Sequence, residues 1–181
     1  MDRHFELTDK FIINAFGAKL FQIKCTRKIK YADIGDLGGY IEKENNLSGD
    51  AWVSGNAQVS GDAQVSGDAW VSGDARVFGN ARVSGDAWVF GNARVSGDAW
   101  VSGNAQVSGD NEHCGFDCFG SANRHTHSYK TKSGKIEITC GCFRGSIEEF
   151  EKQIKETHRG NEFERQYIAI VEVIKIKFGL K

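Results

Sequence analysis

Valine stands at positions 53, 59, 65, 71, 77, 83, 89, 95, 101 and 107, and alanine two residues before each of them. A glycine follows each valine by two residues, and Asp or Asn follows the glycine, so each unit reads Ala-x-Val-Ser/Phe-Gly-Asp/Asn. Leu47 starts the series one step earlier, and the pattern runs unbroken to Asp110. In a short extended segment the first and third side chains share a face and the middle one points away. Alanine and valine therefore face one side throughout, and x faces the other. Glycine and Asn/Asp tolerate the backbone angles that a sharp corner demands. Three such units close a triangular coil, with alanine at its crowded corner and valine along its wall. Successive coils then hydrogen-bond as parallel strands ~4.8 Å apart. A disordered Gly/Ser tract would not hold two apolar positions in phase through ten units. The fold class is mainly β, a parallel β-helix of about 3.5–4 coils.

The repeat resembles the hexapeptide-repeat family, whose members form left-handed parallel β-helices; the resemblance implies that hand here. The units place residues 18 apart in one outward column. One column is Trp52, Trp70, Trp88 and Gln106; the second is Gln58, Arg76 and Arg94; the third is Gln64, Arg82 and Trp100. Phe78 and Phe90 replace serine beside two corners. Three indoles at one-coil spacing, each able to bury ~150–250 Å², make an apolar patch that a soluble protein covers. The expected cover is a neighbouring subunit or the C-terminal helices. The sharper reading is a binding platform that combines Trp52, Trp70, Trp88, Phe90 and Trp100 with the guanidinium groups of Arg76, Arg82 and Arg94. The corner aspartates, such as Asp50, Asp68 and Asp86, serve the turn, because Asn replaces Asp freely at 56, 80, 92 and 104.

Both ends of the repeat need caps. Residues 1–46 are expected to form an N-terminal β cap. Its alternating runs are Phe5–Leu7, Phe11–Asn14 and Leu20–Ile29, separated by turns at Thr8-Asp9-Lys10 and Gly17-Ala18-Lys19. Ile41 lies six residues before Leu47, at an irregular first corner. The β-helix domain is read as 47–119, with 111–119 as a loose last unit and Phe119 in phase with the valines. Residues 120–181 are read as a C-terminal ββαα cap. A hairpin joins 129–131 to 136–139 through Ser133-Gly134. Ser146 and Glu149 form a capping box before Ile147, Phe150 and Ile154 at helical spacing. Arg159-Gly160-Asn161 stops that helix, and a second runs over 162–178.

Three segments together are similar to phage and prophage hexapeptide-repeat proteins. They are the lead-in Gly35-Asp36-Leu37-Gly38-Gly39-Tyr40-Ile41-Glu42-Lys43-Glu44, the repeat, and Cys140-Gly141-Cys142-Phe143-Arg144-Gly145 with Ile147-Glu148-Glu149-Phe150 and Glu156-Thr157-His158. The resemblance covers nearly the whole chain. It implies a phage- or prophage-encoded protein acting in the bacterial cytoplasm, and it carries no established reaction.

The chemistry legible in the residues is sparse. Net charge is −1, and the repeat is mildly acidic between near-neutral flanks, which gives no sign of a nucleic-acid or membrane partner. No apolar run approaches the ~18 residues of a membrane span, and the N-terminus lacks a signal-peptide shape, so the five cysteines are expected as reduced thiols. Cys114, Cys118, His125 and His127 are metal-capable types, with His113 beside them, but their spacing matches no standard zinc site. Structural thiols and surface histidines are the plainer reading. Cys140 and Cys142, alternating on a strand, would share a face. Hexapeptide-repeat acyltransferases resemble one another in a histidine base near a subunit cleft; here the histidines at 4, 113, 125, 127 and 158 all lie outside the ten units. The expectation is a non-enzymatic, homo-oligomeric binding or scaffold protein without cofactor. It would act on a host protein, for example in interference with a defence process. The alternatives are sequestration of a nucleotide-like anion at a subunit interface, and an acyltransferase.

Overall fold

The structure, a computed structural model, describes residues 3–109 and 111–180. It divides into two compact units, 1–109 and 110–181.

The first unit is a parallel β-solenoid of about four turns. It begins with β1 (Phe5–Ile13), β2 (Lys19–Cys25) and β3 (Leu37–Ile41), and a single 3-10 turn covers Glu44–Asn46. Ten two-residue strands, β4 to β13, follow: Trp52–Val53, Gln58–Val59, Gln64–Val65, Trp70–Val71, Arg76–Val77, Arg82–Val83, Trp88–Val89, Arg94–Val95, Trp100–Val101 and Gln106–Val107. They stack every third strand into three walls, β4-β7-β10-β13, β5-β8-β11 and β6-β9-β12. Backbone bonds of one kind run up the walls: Trp52 N donates to Ala69 O at 2.9 Å and Gln64 N to Ala81 O at 2.9 Å. All ten valines are fully buried, and no repeat alanine is more than 3% exposed. The predicted inward pair is thus the core of the solenoid. The ten corner glycines from Gly49 to Gly103 take φ between +63° and +73°. They stack coil on coil, so a Cβ on Gly67 would lie 3.0 Å from Gly85 N.

The N-terminal cap is continuous with one wall. The hairpin β1-β2 is antiparallel, β2 pairs with β3, and Tyr40 and Ile41 of β3 pair in parallel with Gln58 and Val59. Ile41 is therefore the first rung of that wall, and Leu47 bridges to Val65 on the next. This docking demands close approach. A Cβ on Gly39 would sit 2.6 Å from Ala57 O, and one on Gly38 would sit 2.5 Å from Ile23 Cγ1. The irregular first coil carries one buried amide, Asn46, and satisfies it: Nδ2 donates to Gly61 O at 3.0 Å and Ala63 O at 2.8 Å, while Oδ1 accepts from Lys43 N at 2.9 Å. Two expectations need correction. Thr8-Asp9-Lys10 is a register shift inside one strand rather than a turn, since Thr8 Oγ1 donates to Gln22 O and keeps the segment on the sheet. The run expected to continue to Ile29 leaves the sheet after Cys25, whose Sγ donates to Arg27 O as the chain turns away.

The second unit is an antiparallel sheet in the order β14 (His113–Phe119), β15 (Arg124–Lys130), β16 (Ile136–Cys140) and β17 (Phe143–Gly145), followed by α1 (Ile147–His158) and α2 (Glu162–Phe178). The expected ββαα cap thus has four strands. Residues 111–119, expected as a loose solenoid unit, supply β14, which pairs with β15, and Phe119 is 40% exposed. The reason lies in the residues: 111–119 has neither the Ala-x-Val triplet nor a Gly-Asp corner, and a seven-residue strand cannot form a two-residue wall. The capping box forms as read, with Ser146 Oγ accepting from Glu149 N and Glu149 Oε2 from Ser146 N. Ile138, Phe150, Ile154, Tyr167, Ile170 and Ile174 make this unit's own core. Among the described residues no helix is long and apolar enough to cross a membrane.

Candidate functional site

The outward columns stand in the predicted register. Trp52 pairs with Trp70, Trp70 with Trp88, and Trp88 with Gln106. Arg94 pairs with Arg76, Arg76 with Gln58, and Trp100 with Arg82. The column of Gln58, Arg76 and Arg94 extends one rung further, to Tyr40.

Residues of the same unit pack on the tryptophan wall, a cover the sequence did not anticipate, and Trp70 and Trp88 remain half-buried. Tyr31 stacks on Trp70 with ring centroids 5.0 Å apart and planes 13° from parallel. Trp88 meets Tyr31 edge-on, and its Nε1 donates to Tyr31 Oη at 3.0 Å. Trp70 and Trp88 are themselves nearly perpendicular, at 84°. Trp70 Nε1 donates to Ser54 Oγ at 2.9 Å, so its indole is both packed and satisfied. Trp52 is 2% exposed, with the His4 ring 6.1 Å away. Two cations just before Tyr31 hold its segment to the aspartate corner of this wall. Arg27 Nη2 reaches Asp50 at 2.6 Å, and Lys30 Nζ reaches Asp86 at 3.1 Å. Those pairs are half-exposed, so each contributes little alone, but they fix where the tyrosine lands. The corner aspartates thus have a second task beyond turn geometry.

His4 completes this cover. Its Nε2 lies 2.8 Å from Ala51 O and donates to it, which sets the neutral tautomer. Burial lowers its pKa below the ordinary imidazole value, against smaller opposing effects from the Ala51 carbonyl and Asp50. Tyr31, Arg27, Lys30 and His4 were not legible as functional from the sequence. Only the position of Tyr31 within a lysine-rich, glycine-free stretch hinted at a surface segment.

With that wall occupied, the side chains presented outward are those of the other two. Arg76, Arg82 and Arg94 are exposed, and Trp100 is 39% exposed with its Nε1 3.3 Å from Ser84 Oγ. Phe90 is half-buried, and Phe78 packs against the exposed Phe16 at 5.5 Å. These side chains form two flat arrays of guanidinium and indole groups on a rigid backbone.

The four zinc-capable residues do not converge. Cys114 pairs with Ser128 across the strands, Sγ 3.1 Å from Oγ, and packs against the helix-facing core. His125 and His127 alternate with Thr126 and Ser128 and therefore face the other side of the sheet. Cys118 is exposed in a left-handed conformation at the β14 irregularity. Among the described residues no group of three or more His, Cys, Asp or Glu is placed to hold a metal. The histidines of this sheet, expected at the surface, are buried or half-buried: His127 is 1% exposed, its Nε2 lies 3.0 Å from His113 Nδ1, and His125 pairs with Asp117 through Nδ1. Cys140 and Cys142 do not share a strand face either. Gly141, at φ +60°, turns the chain between them, leaving Cys140 buried and Cys142 exposed.

Comparison with curated proteins finds no match. A family model described as the YdcK beta solenoid repeat matches residues 57–73, 63–77, 75–91 and 87–103, overlapping stretches that follow the coils of the walls. The chain is thus similar, over the middle of its solenoid, to a repeat family of β-solenoid proteins.

Proposed function

We propose that this chain is a non-enzymatic binding or scaffold protein of phage or prophage origin. It is homo-oligomeric, acts in the bacterial cytoplasm, and binds a host protein through the arginine-bearing walls of the solenoid. Interference with a host process such as defence is the use that fits this origin. The observation that carries the reading is the division of labour among the walls. Tyr31 occupies Trp70 and Trp88, while Arg76, Arg82, Arg94 and Trp100 remain outward at one-coil spacing. Arginine and tryptophan are the side chains most enriched where interfaces concentrate their energy. Regular rows of guanidinium groups select an acidic partner and speed its encounter. The outward positions of these walls carry only Gln, Arg, Trp and Tyr, with no carboxylate or imidazole to move a proton.

The test is affinity capture from bacterial lysate with the native chain and with Arg76→Glu/Arg82→Glu/Trp100→Ala, alongside mass by light scattering. A retained acidic protein that the variant loses is the expected result. Identical captures and an identical mass in both would refute the reading.

A further inference from the structure

The second unit encloses one feature that the solenoid reading does not use. A cavity of about 480 Å³ opens between the β16-β17 turn and the two helices. Three of the stretches singled out in the sequence meet there: Cys140 to Arg144, Phe150, and Thr157-His158. Its size falls in the range of small-ligand sites.

The lining is unusual in its charge. It includes two arginines and a histidine, and no aspartate or glutamate. Arg144 is already committed, because its Nε pairs with Glu137. Arg124 has no carboxylate partner among the described residues. Its guanidinium lies against Gly141, where a Cβ would stand 2.5 Å from Nη1, so the glycine keeps the space that Arg124 occupies. Aromatic rings line the same cavity. Phe143 and Phe150 have centroids 4.9 Å apart, Phe150 meets Tyr167 edge-on at 5.7 Å, and His158 stacks on Tyr167 at 5.5 Å and 28°. Burial, with the neighbouring Cys140 thiol, pushes the Tyr167 phenol up to about 12, so it remains a neutral donor at any physiological pH. Arg124 is exposed at this half-open, mixed polar and aromatic site, and an arginine there without a carboxylate partner favours an anion, held by charge-assisted and bidentate hydrogen bonds. The ring walls favour a flat apolar body beside that anion.

We propose that this cavity binds a small organic anion, a planar ring bearing a carboxylate or a phosphate. The anionic group sits on Arg124 and the ring lies among Phe143, Phe150 and His158. The proposal is independent of the solenoid walls.

Calorimetric titration of the full chain tests it with benzoate, phenyl phosphate, inorganic phosphate and benzylamine. Benzoate and phenyl phosphate are expected to saturate, and the tighter of the two identifies the preferred head group. Inorganic phosphate, lacking the ring, binds more weakly, and benzylamine does not bind. Arg124→Gln should weaken both ring-bearing anions at least tenfold. Because Arg124 also packs on Gly141, Gln153→Glu serves as a second variant. It lies on the exposed side of α1, replaces the Nε2 donor to Thr157 Oγ1 by an oxygen that can accept from the Thr157 hydroxyl, and sets a carboxylate in the lining. It too should weaken the anions at least tenfold. No saturation by either anion up to about 10 mM, the weak limit for one ring and one charge, would overturn the proposal. So would equal affinity for benzylamine, or unchanged affinity in both variants.

Discussion

At the level of single residues, His4 couples the cover of the tryptophan wall to pH. An unfolded-chain imidazole takes up its proton near pH 6.5, whereas burial keeps His4 neutral to lower pH in the fold. Below 6.5 the unfolded chain therefore binds a proton that the folded chain refuses. Stability from this group is complete above that point and declines as the pH falls towards the lowered folded value. Urea midpoints measured at about pH 7.5 and about pH 5.5 should fall in the native chain, and fall less in His4→Gln. Gly39 provides a second test of residue-scale packing. Gly39→Ala drives a methyl to 2.6 Å from Ala57 O, where only backbone can give way, and should cost roughly 1–3 kcal/mol in urea unfolding. Gly17→Ala is the contrast. It meets nothing within 4 Å and carries only the strain of its own +80° φ, which Gly39 does not share, so it should cost about 1–2 kcal/mol at most.

Among the elements, the loop after β2 matters more than its lack of regular structure suggests. It carries Tyr31 onto Trp70 and Trp88, and Arg27 and Lys30 pin it to Asp50 and Asp86. Tyr31→Ala should shift tryptophan emission to the red and cost roughly 2 kcal/mol, because two half-buried indoles lose their lid and Trp88 Nε1 loses an acceptor. An unmoved emission maximum would show that the cover is not formed in solution. The repeat elements were legible in detail, down to the register of Trp52, Trp70 and Trp88, since each unit repeats one physical solution. The four-stranded sheet was legible only in its central hairpin and its helices. Strand β14 carries Gly115 and Asp117 on a short, irregular run that periodicity cannot separate from a degraded repeat. The opposed faces of Cys114 and His125/His127 follow from the register of Cys114 with Ser128, which no spacing along the chain reveals.

For the whole molecule, two separate cores imply two separable stabilities. The solenoid interior is a one-dimensional stack in which each coil depends on its neighbours. Val83→Asp places a carboxylate in the middle of that stack, with no polar partner on its wall. The cost of an unpaired buried charge exceeds the stability of most domains' weakest cooperative unit. Amide exchange should then lose the slow protection of the wall amides such as Trp70 and Gln64, while α1 and α2 keep theirs. Equal loss in both would show that the two cores unfold as one.

The sequence by itself determined the solenoid: its period, its inward alanine and valine, its glycine corners and the columns on its three walls. Every one of these depends only on neighbours along a regular repeat, so local chemistry and one stacking rule suffice. What the tertiary structure decided is which wall is covered by the Tyr31 segment. That depended on where an irregular segment without periodicity, Arg27 to Tyr31, folds back across residues some twenty to sixty positions away. The same holds for Arg124, which meets Phe150 and His158 only through the pairing of four strands and two helices. Such encounters rest on complementary shape and charge between distant segments, and no single stretch of chain encodes them.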